Sequence, residues 1–580
     1  MNSVETKICI AVCLCLVFVI IFAAPLMAKQ KNIHLNQAGY RPADKKFLIS
    51  IKDATYFTIY RESDKKWMYS NQLKGPVDDK DSGYKCFIGD FSEFDKPGRY
   101  YIEVERAGRS YPFEIKADVY SDVFRKVMHG YYLWRCGQKV EGDNGYGHEA
   151  CHLEKAEIHP SAGRDEGKMI DVSGGWHDAG DYGKYSVNNG VSTGTLILMY
   201  ERYGQRLADV KTGIPEHQKD KKYPDILNEI KYSLDWMMKM QRNDGAVYHK
   251  ATSLTFPEMN LKAEDDNSAF FVIGLSSTGT ADFAAAMAAA YRVFKDYDSS
   301  YAKQCLDSAK KAWQWLKRNP GMVPEGGYKN PEDVKTGQYG DWNDADERLW
   351  AAAELFAATG DSEYRRYFEE NYNKFDPVFD SAPSWQQVKE FAMMTYIASG
   401  RKGKSEEVVG KIKNDMLEHG KDLLARIGES GYRNVMRESD YVWGSNSVSL
   451  NYAINLLRMY DLTLENKYKE AARESLDYVM GRNPLGISYI TGVGEYAVEN
   501  IHHRPSAADG RKGSWPGYLA GGPNKNMQDK ILKKLPFGTP PAKCFIDHVD
   551  SYASNEIAVN WNAPLAYVLA AFLPDDVKFD

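Results

Sequence analysis

Between residues 32 and 117, apolar and polar positions alternate in short runs. FLISIK (47–52), YFTIYRE (56–62), YKCFIGDF (84–91), RYYIEVE (99–105) and SYPFEIK (110–116) carry this period of two. Turn clusters such as Lys96-Pro97-Gly98 and Ala107-Gly108-Arg109 separate them, and the spacing predicts a small β-sandwich. From 118 to 580 the period becomes helical. In 464–480, Leu464, Tyr468, Ala471, Ala472, Leu476, Val479 and Met480 share one face. LWAAAELFAA (349–358) is apolar nearly all round, which predicts a buried helix with Gly360 as its stop. Twelve helical stretches are expected, near 120–135, 185–203, 224–241, 281–294, 301–317, 346–358, 362–373, 386–398, 407–426, 446–461, 464–480 and 556–572. No sequence repeat is visible. Twelve helices joined by long loops suit a barrel of paired helices, and an irregular bundle would give the same count.

The N-terminus changes the picture. Lys7 precedes an apolar run from Ile8 to Ala28, and polar residues follow from Lys29. Residues 1–28 read as a secretory signal or an uncleaved membrane anchor. Either predicts a secreted, periplasmic or cell-surface protein, touching a membrane only through that segment. Composition adds exclusions. The chain has 580 residues, 43% hydrophobic and 27% charged, as in a globular protein of more than one folding unit. Lys+Arg number 74 against 80 Asp+Glu, a net charge of −6, which argues against a nucleic-acid partner. Three of the 8 cysteines (Cys9, Cys13, Cys15) sit in the leader, and Cys86, Cys136, Cys151, Cys305 and Cys544 are too sparse for a disulfide framework. Aromatic residues reach 13%, with 39 Tyr and 12 Trp, enough both to fill a core and to stack on flat ligand faces.

The candidate chemistry lies in long Gly-, Asn- and aromatic-rich connections at 137–183, 243–280, 319–345, 429–445 and 482–553. In DVSGGWHDAGDYGKY (171–185), Asp178 and Asp181 lie three apart amid glycines. That spacing lets two carboxylates grip one water, although a capping or metal-binding loop has the same look. In FIDHVDSYASNEIAVNWNA (545–563), Glu556 is expected to open the last helix, with Ser554 and Asn555 as capping candidates and Asp547 on the loop before it. A glutamate there is ordinarily a favourable charge on the helix dipole. At the lip of a buried face, burial would instead keep it protonated, as a general acid needs. His502, His503 and Arg504 form a donor cluster suited to sugar hydroxyls or to pairing with acids.

These segments together resemble glycoside hydrolase family 9, in the subgroup with an N-terminal immunoglobulin-like domain. IHLNQAGYRP (33–42), WRCG (134–137), ACH (150–152), residues 171–185, HHR (502–504) and residues 545–563 carry the likeness, which spans nearly all of the chain after the leader. The resemblance implies an immunoglobulin-like β-sandwich at 32–117 and an (α/α)6 barrel at 118–580. It implies hydrolysis of β-1,4-glucosidic bonds with inversion. Asp181 would be the base, Asp178 would help hold the attacking water, and Glu556 would be the acid. His502 and Arg504 would bind the sugar, and Asp547 would support that site. Inversion needs the acid and base roughly 6.5–9.5 Å apart, a gap that two separate loops can supply.

The resemblance also implies metals but no organic cofactor. Cys136, Cys151, His152 and His177 correspond to a zinc site, a sound tetrahedral set, against the reading of two buried thiols and two hydrogen-bonded histidines. Asp344, Asp346 and Glu347, in GDWNDADERLW, fall where the family often places calcium, although Asp346 and Glu347 are equally first-turn helix acids. Gln387 stands where relatives supply another carboxylate. Tyr496 and the LSSTGT of 275–280 also depart from the family pattern, which bears on subsites. Trp176, Trp443, Tyr489, Trp515 and Tyr552 are candidate sugar platforms. The expected activity is an endo-acting β-1,4-glucanase on cellulose-type or mixed-linkage glucan. The alternatives are an exo-acting glucanase, glucosidase or glucosaminidase on short oligosaccharides, and a non-catalytic glycan-binding protein. No C-terminal binding module is expected after the last helix.

Overall fold

The computed structural model describes residues 31–575, so the proposed leader at 1–28 lies outside the described residues. The sandwich strands are β1 (Ile33–His34), β2 (Phe47–Ser50), β3 (Tyr56–Arg61), β4 (Trp67–Asp79), β5 (Tyr84–Asp90), β6 (Gly98–Val104), β7 (Gly108–Arg109) and β8 (Phe113–Ile115). They pair antiparallel in the order β1-β2-β5-β4-β3-β6-β7, with β8 also on β6. Strand β4 belongs to both layers. Its first half pairs with β3, its second with β5, and the register shifts between Lys74 and Val77. Leu48, Phe57, Ile59, Phe91, Ile102 and Ile115 fill the space between the layers.

Among the described residues fourteen α-helices follow, two of them short; the twelve longer ones match the expected stretches to within a few residues: α1 (Ser121–Leu133), α2 (Ser186–Leu207), α3 (Asp225–Lys239), α4 (Ser277–Phe294), α5 (Ser299–Arg318), α6 (Ala345–Thr359), α7 (Ser362–Asn371), α8 (Lys389–Ala398), α9 (Glu406–Glu429), α10 (Ser445–Thr463), α11 (Asn466–Val479) and, after the short helices α12 (Arg504–Ala508) and α13 (Tyr552–Asn555), α14 (Val559–Ala570). Gly360 ends α6 in the left-handed region, φ 75°, as expected. Helices α2, α4, α6 and α8 pack in succession, and α10, α14 and α2 do likewise. The others lie outside them: α3 on α2, α5 on α4, α7 on α6, α11 on α10. The sequence makes this division. Helix α4 buries nearly every residue from Ser277 to Ala290, whereas α9 buries only a stripe, including Val408, Ile412, Met416, Leu423 and Ile427.

The two parts meet through buried charge. Asn36 of the sandwich side donates to Asp477 Oδ1 (2.9 Å), and the Arg473 guanidinium reaches the carbonyl of Lys45. Arg473 and Arg482 both pair with Asp477, at 2.6 and 3.2 Å, and Arg482 also holds Glu474 at 2.5 Å. These four side chains are 3% exposed or less.

The long loops are less irregular than their composition suggests. Those at 137–183 and 243–280, with their flanks, supply β11 (Ala156–Ile158), β12 (Met169–Ile170), β13 (Lys184–Tyr185), β14 (Tyr248–Thr252) and β15 (Phe271–Leu275), after a small β9–β10 hairpin (Val140–Glu141 with Gly147–His148). The five form one sheet in the order β12-β11-β15-β14-β13.

Candidate active site

Each long loop leads into one of the better-buried helices, and the loops meet at a cavity of about 1470 Å³. Asp178, Phe256, Tyr339, Trp385, Trp443 and Glu556, from six different connections, all line it. Asp178 and Asp181 are held rigidly. The Asp178 backbone N–H donates to Gly183 O and its carbonyl accepts from Val559 N, both at 2.9 Å, tying this loop to the start of α14. Its carboxylate accepts from Asn188 Nδ2 (2.7 Å) and from the Tyr339 hydroxyl (2.5 Å). The Asp181 carboxylate accepts from Gly183 N (3.0 Å) and from the Tyr185 hydroxyl (3.2 Å).

Burial raises Asp178 to about 8, and the charge of Asp181 adds to the effect. Burial raises Asp181 too, but the Arg504 guanidinium opposes it. Burial thus raises both carboxyls, and Arg504 favours the charged form of Asp181. Glu556 was expected to open the last helix. It stands instead in the link between α13 and α14, in extended backbone (φ −71°, ψ 165°). This places its side chain at the cavity rather than on a helix dipole. Burial pushes its carboxyl well above the ordinary range, Asp181 adds to this, and Arg504 and the Gly180 N–H oppose it.

His502 runs beside Glu556 in a parallel bridge and lines the cavity. Its Nδ1–H donates to Val549 O (2.6 Å), which leaves Nε2 as an acceptor, and burial lowers it to about 4. Arg504 also lines the cavity, with Nη1 on Gly180 O and Nε on Pro257 O, both 2.9 Å. Asp547 stands behind, accepting from Glu499 N and Asn500 N (2.9 Å each) and Asn555 Nδ2 (3.0 Å). It thus joins the strand of His502 to the residue before Glu556.

Four ring assignments need correction. Trp176 is fully buried, with Nε1 on Glu229 (2.7 Å), Tyr489 is 0% exposed, and Trp515 donates to Asp509 from a buried position. His503 is buried between Trp515 and Tyr518 and bonds Ser506. None offers a face to a sugar. Trp443 and Tyr552 are open to the cavity: they are 39% and 38% exposed, pack against each other and line it. Sequence reasoning missed Phe256, Trp342 and Trp385, which line it too.

Cys136, Cys151, His152 and His177 converge so that their ligand atoms all lie within 4.8 Å of one another. Cys136 Sγ is 3.8 Å from His152 Nδ1, and Cys151 Sγ is 3.7 Å from His177 Nε2. An ion bound tetrahedrally by two thiolates and two imidazoles separates neighbouring ligand atoms by about 3.5–3.8 Å, so the donor set fits. Asp266 takes the other nitrogen of His152 at 3.3 Å, an orienting contact typical of ligating imidazoles. His152 holds φ 51°, a left-handed backbone that a histidine adopts at some cost.

The acidic candidates divide. Asp344 is paired with Arg348 (2.9 Å). Asp346 accepts from Val388 N (2.8 Å). Glu347 is fully buried with neither oxygen hydrogen-bonded, as is Asp282 of α4, and Asp341 leaves one oxygen bare. Asp282, Asp341 and Asp346 all raise Glu347, after burial itself. Asp282 and Asp341 were not anticipated. Among the described residues only the cysteine–histidine group gathers three or more such ligand atoms within 4.8 Å, so the carboxylates form a looser cluster.

A carboxylic acid kept protonated, facing a charged carboxylate from another loop, is the chemistry that glycosidic hydrolysis needs. Residues 120–569 match the model of Glycosyl hydrolase family 9, and residues 28–109 that of the cellulase N-terminal ig-like domain. The chain belongs to this family and is a glycoside hydrolase. It is 37% identical over 548 residues to Endoglucanase D of Acetivibrio thermocellus, covering 93% of this chain and 83% of the relative. It is 34% identical to the Cellodextrinase of Butyrivibrio fibrisolvens, covering 94% and 100%. The solved structure of AaCel9A in complex with cellobiose-like isofagomine superposes with a TM-score of 0.86 at 32% identity, covering 94% of this chain and 100% of the other.

Proposed function

We propose that the chain is an endo-acting, inverting β-1,4-glucanase of cellulose-type or mixed-linkage glucan. The supporting observation is the presence of Asp178, Asp181 and Glu556 around one aromatic-lined cavity. Asp181 takes a proton from the attacking water, which Asp178 helps hold. Glu556 gives its proton to the leaving oxygen; the proton gained by Asp181 and the one lost by Glu556 are then exchanged with solvent, which restores both carboxyls for the next turnover. His502 and Arg504 bind the sugar at the cleavage point, and Trp443 and Tyr552 stack on neighbouring rings. The helical part is read as an (α/α)6 barrel at 118–580 behind a sandwich at 32–117, in agreement with the paired packing of its helices. Residues 1–28 are read as an export segment, so the substrate is met outside the cytoplasm.

The test is product analysis on defined cello-oligosaccharides with the anomer read by NMR, alongside viscosity loss on a soluble glucan. Internal cleavage, early thinning and an α-anomer first product are expected. Release of short units from one end without thinning would favour the exo reading, in line with the cellodextrinase relative. A β-anomer would overturn inversion.

Cys136, Cys151, His152 and His177 are assigned to zinc, which would pin the loop beside Asp178. Calcium, expected at Asp344, Asp346 and Glu347, is assigned to Asp346 and Glu347 together with Asp282 and Asp341, since Asp344 is paired with Arg348; Glu347 and Asp282 keep both oxygens bare and Asp341 one, and carboxylate oxygens are hard ligands.

A further inference from the structure

Strand β14, which lies between β15 and the edge strand β13, carries two buried basic residues that the proposed chemistry does not use. Lys250 and His249 are both 0% exposed. Lys250 stands directly across from Tyr185 in the β13–β14 register. Its Nζ donates to Asn330 Oδ1 (2.8 Å), Gly337 O (2.8 Å) and Thr336 Oγ1 (3.1 Å). All three acceptors are neutral, and among the described residues the ammonium makes no ion pair. A buried charge with only neutral partners is costly and calls for an anion nearby. Asp181 supplies a negative charge that favours the charged form of Lys250, although burial is the larger effect.

The acceptors of Lys250 lie on the loop that governs both aspartates. Gly337 N donates to the Tyr185 hydroxyl at 3.1 Å, which leaves the tyrosine proton for Asp181. Two residues on, Tyr339 adopts φ 44° and directs its hydroxyl to Asp178. His249 grips the residue between them: its Nε2–H donates to Gln338 O (2.8 Å) while Nδ1 accepts from Ser276 (2.9 Å).

We propose that Lys250 is a positioning residue for the base: it ties the 330–339 loop to β14, so setting both phenols on the two aspartates, and its charge offsets that of Asp181. The proposal rests on the assignment of Asp181 as the base. The groups facing Lys250 are Asp181, Tyr185, Tyr328 and its neighbour His249; those facing Asp181 are Asp178, Glu556, Arg504 and Tyr185. Burial lowers Lys250 to about 7, so its charge is present throughout the acidic range in which the base titrates.

The experiment compares wild type, Lys250→Met and Asp181→Asn in kcat, KM, thermal melting and the pH profile of kcat/KM. Lys250→Met is expected to lose roughly 10–100-fold in kcat with KM little changed. Its acid limb should move to higher pH, because a carboxylate that loses a nearby cation becomes harder to ionise. An unmoved limb, or a loss that falls on KM alone, overturns the proposal. If Lys250→Met does not fold, Asn330→Ala decides: it keeps the ammonium and removes one anchor. A lower kcat with the limb in place supports the proposal, and an unchanged kcat overturns it. Asp181→Asn separates the two readings. Should it keep turnover, the base assignment fails; should it lose turnover while Lys250→Met behaves as wild type, only the positioning role fails.

Discussion

Glu556 illustrates how a side chain acquires a role from its surroundings. Its proton is held by burial and by the facing charge of Asp181, with Arg504 pulling the other way. Glu556→Gln is expected to lose about 10²–10⁴-fold in turnover while oligosaccharide binding, measured by calorimetry, persists. Unchanged turnover would remove Glu556 from the acid role. The pH profile follows from the same shifts. In the proposed roles, activity needs Asp181 charged, so it falls as pH drops through that group's raised pKa. It needs Glu556 protonated, so it falls again as pH rises through a pKa well above the usual carboxylate range. In Glu556→Gln the alkaline limb of any residual activity should disappear. The carboxylates were legible because their spacing and glycine setting are local. The rings were not: nothing beside Trp176 or Tyr489 in the chain says that the core encloses one and Glu229 binds it. Asp282 and Lys250 were hidden for a related reason, each lying inside an otherwise ordinary helix or strand run.

At the scale of elements, the 171–185 loop depends on close backbone approach. A Cβ on Gly180 would sit 2.0 Å from the carbonyl oxygen of His502. Gly180→Ala should therefore part the Asp181 and Glu556 segments and cost about 10²-fold in kcat; near-normal kcat would show that the segments tolerate separation. The same loop carries His177 of the cysteine–histidine group, the proposed zinc anchor. Metal removal by a chelator that binds zinc tightly should lower both the melting temperature and kcat, with stoichiometric zinc found by elemental analysis beforehand. An unchanged melting curve after complete removal would argue against the anchoring. The twelve helices could be read from the chain because their apolar period is sustained over many residues. Strand β4 could not: WMYSNQLKGPVDD lacks alternation and carries Gly75-Pro76 where the strand passes from one layer to the other. The five-stranded sheet of the loops escaped too, since its strands are two to five residues long.

Over the whole molecule, the sandwich and the helices are joined by ions rather than by a greasy patch alone. Asp477 serves Arg473, Arg482 and Asn36 at once. Asp477→Asn leaves two buried guanidinium groups short of charge and is expected to destabilise by about 3–5 kcal/mol. Denaturant unfolding measures this, and a loss below about 1 kcal/mol would class the junction with ordinary surface pairs. The arrangement of the helices has one more consequence. Helices α2, α6, α8, α10 and α14 begin beside or within the cavity lining, at Tyr185, Asp346, Lys389, Ser447 and Asn560. Each therefore turns the positive end of its dipole inward. Five such ends form a fixed counter-field that no change of acidity can discharge, which helps the protein crowd so many acids into one hollow.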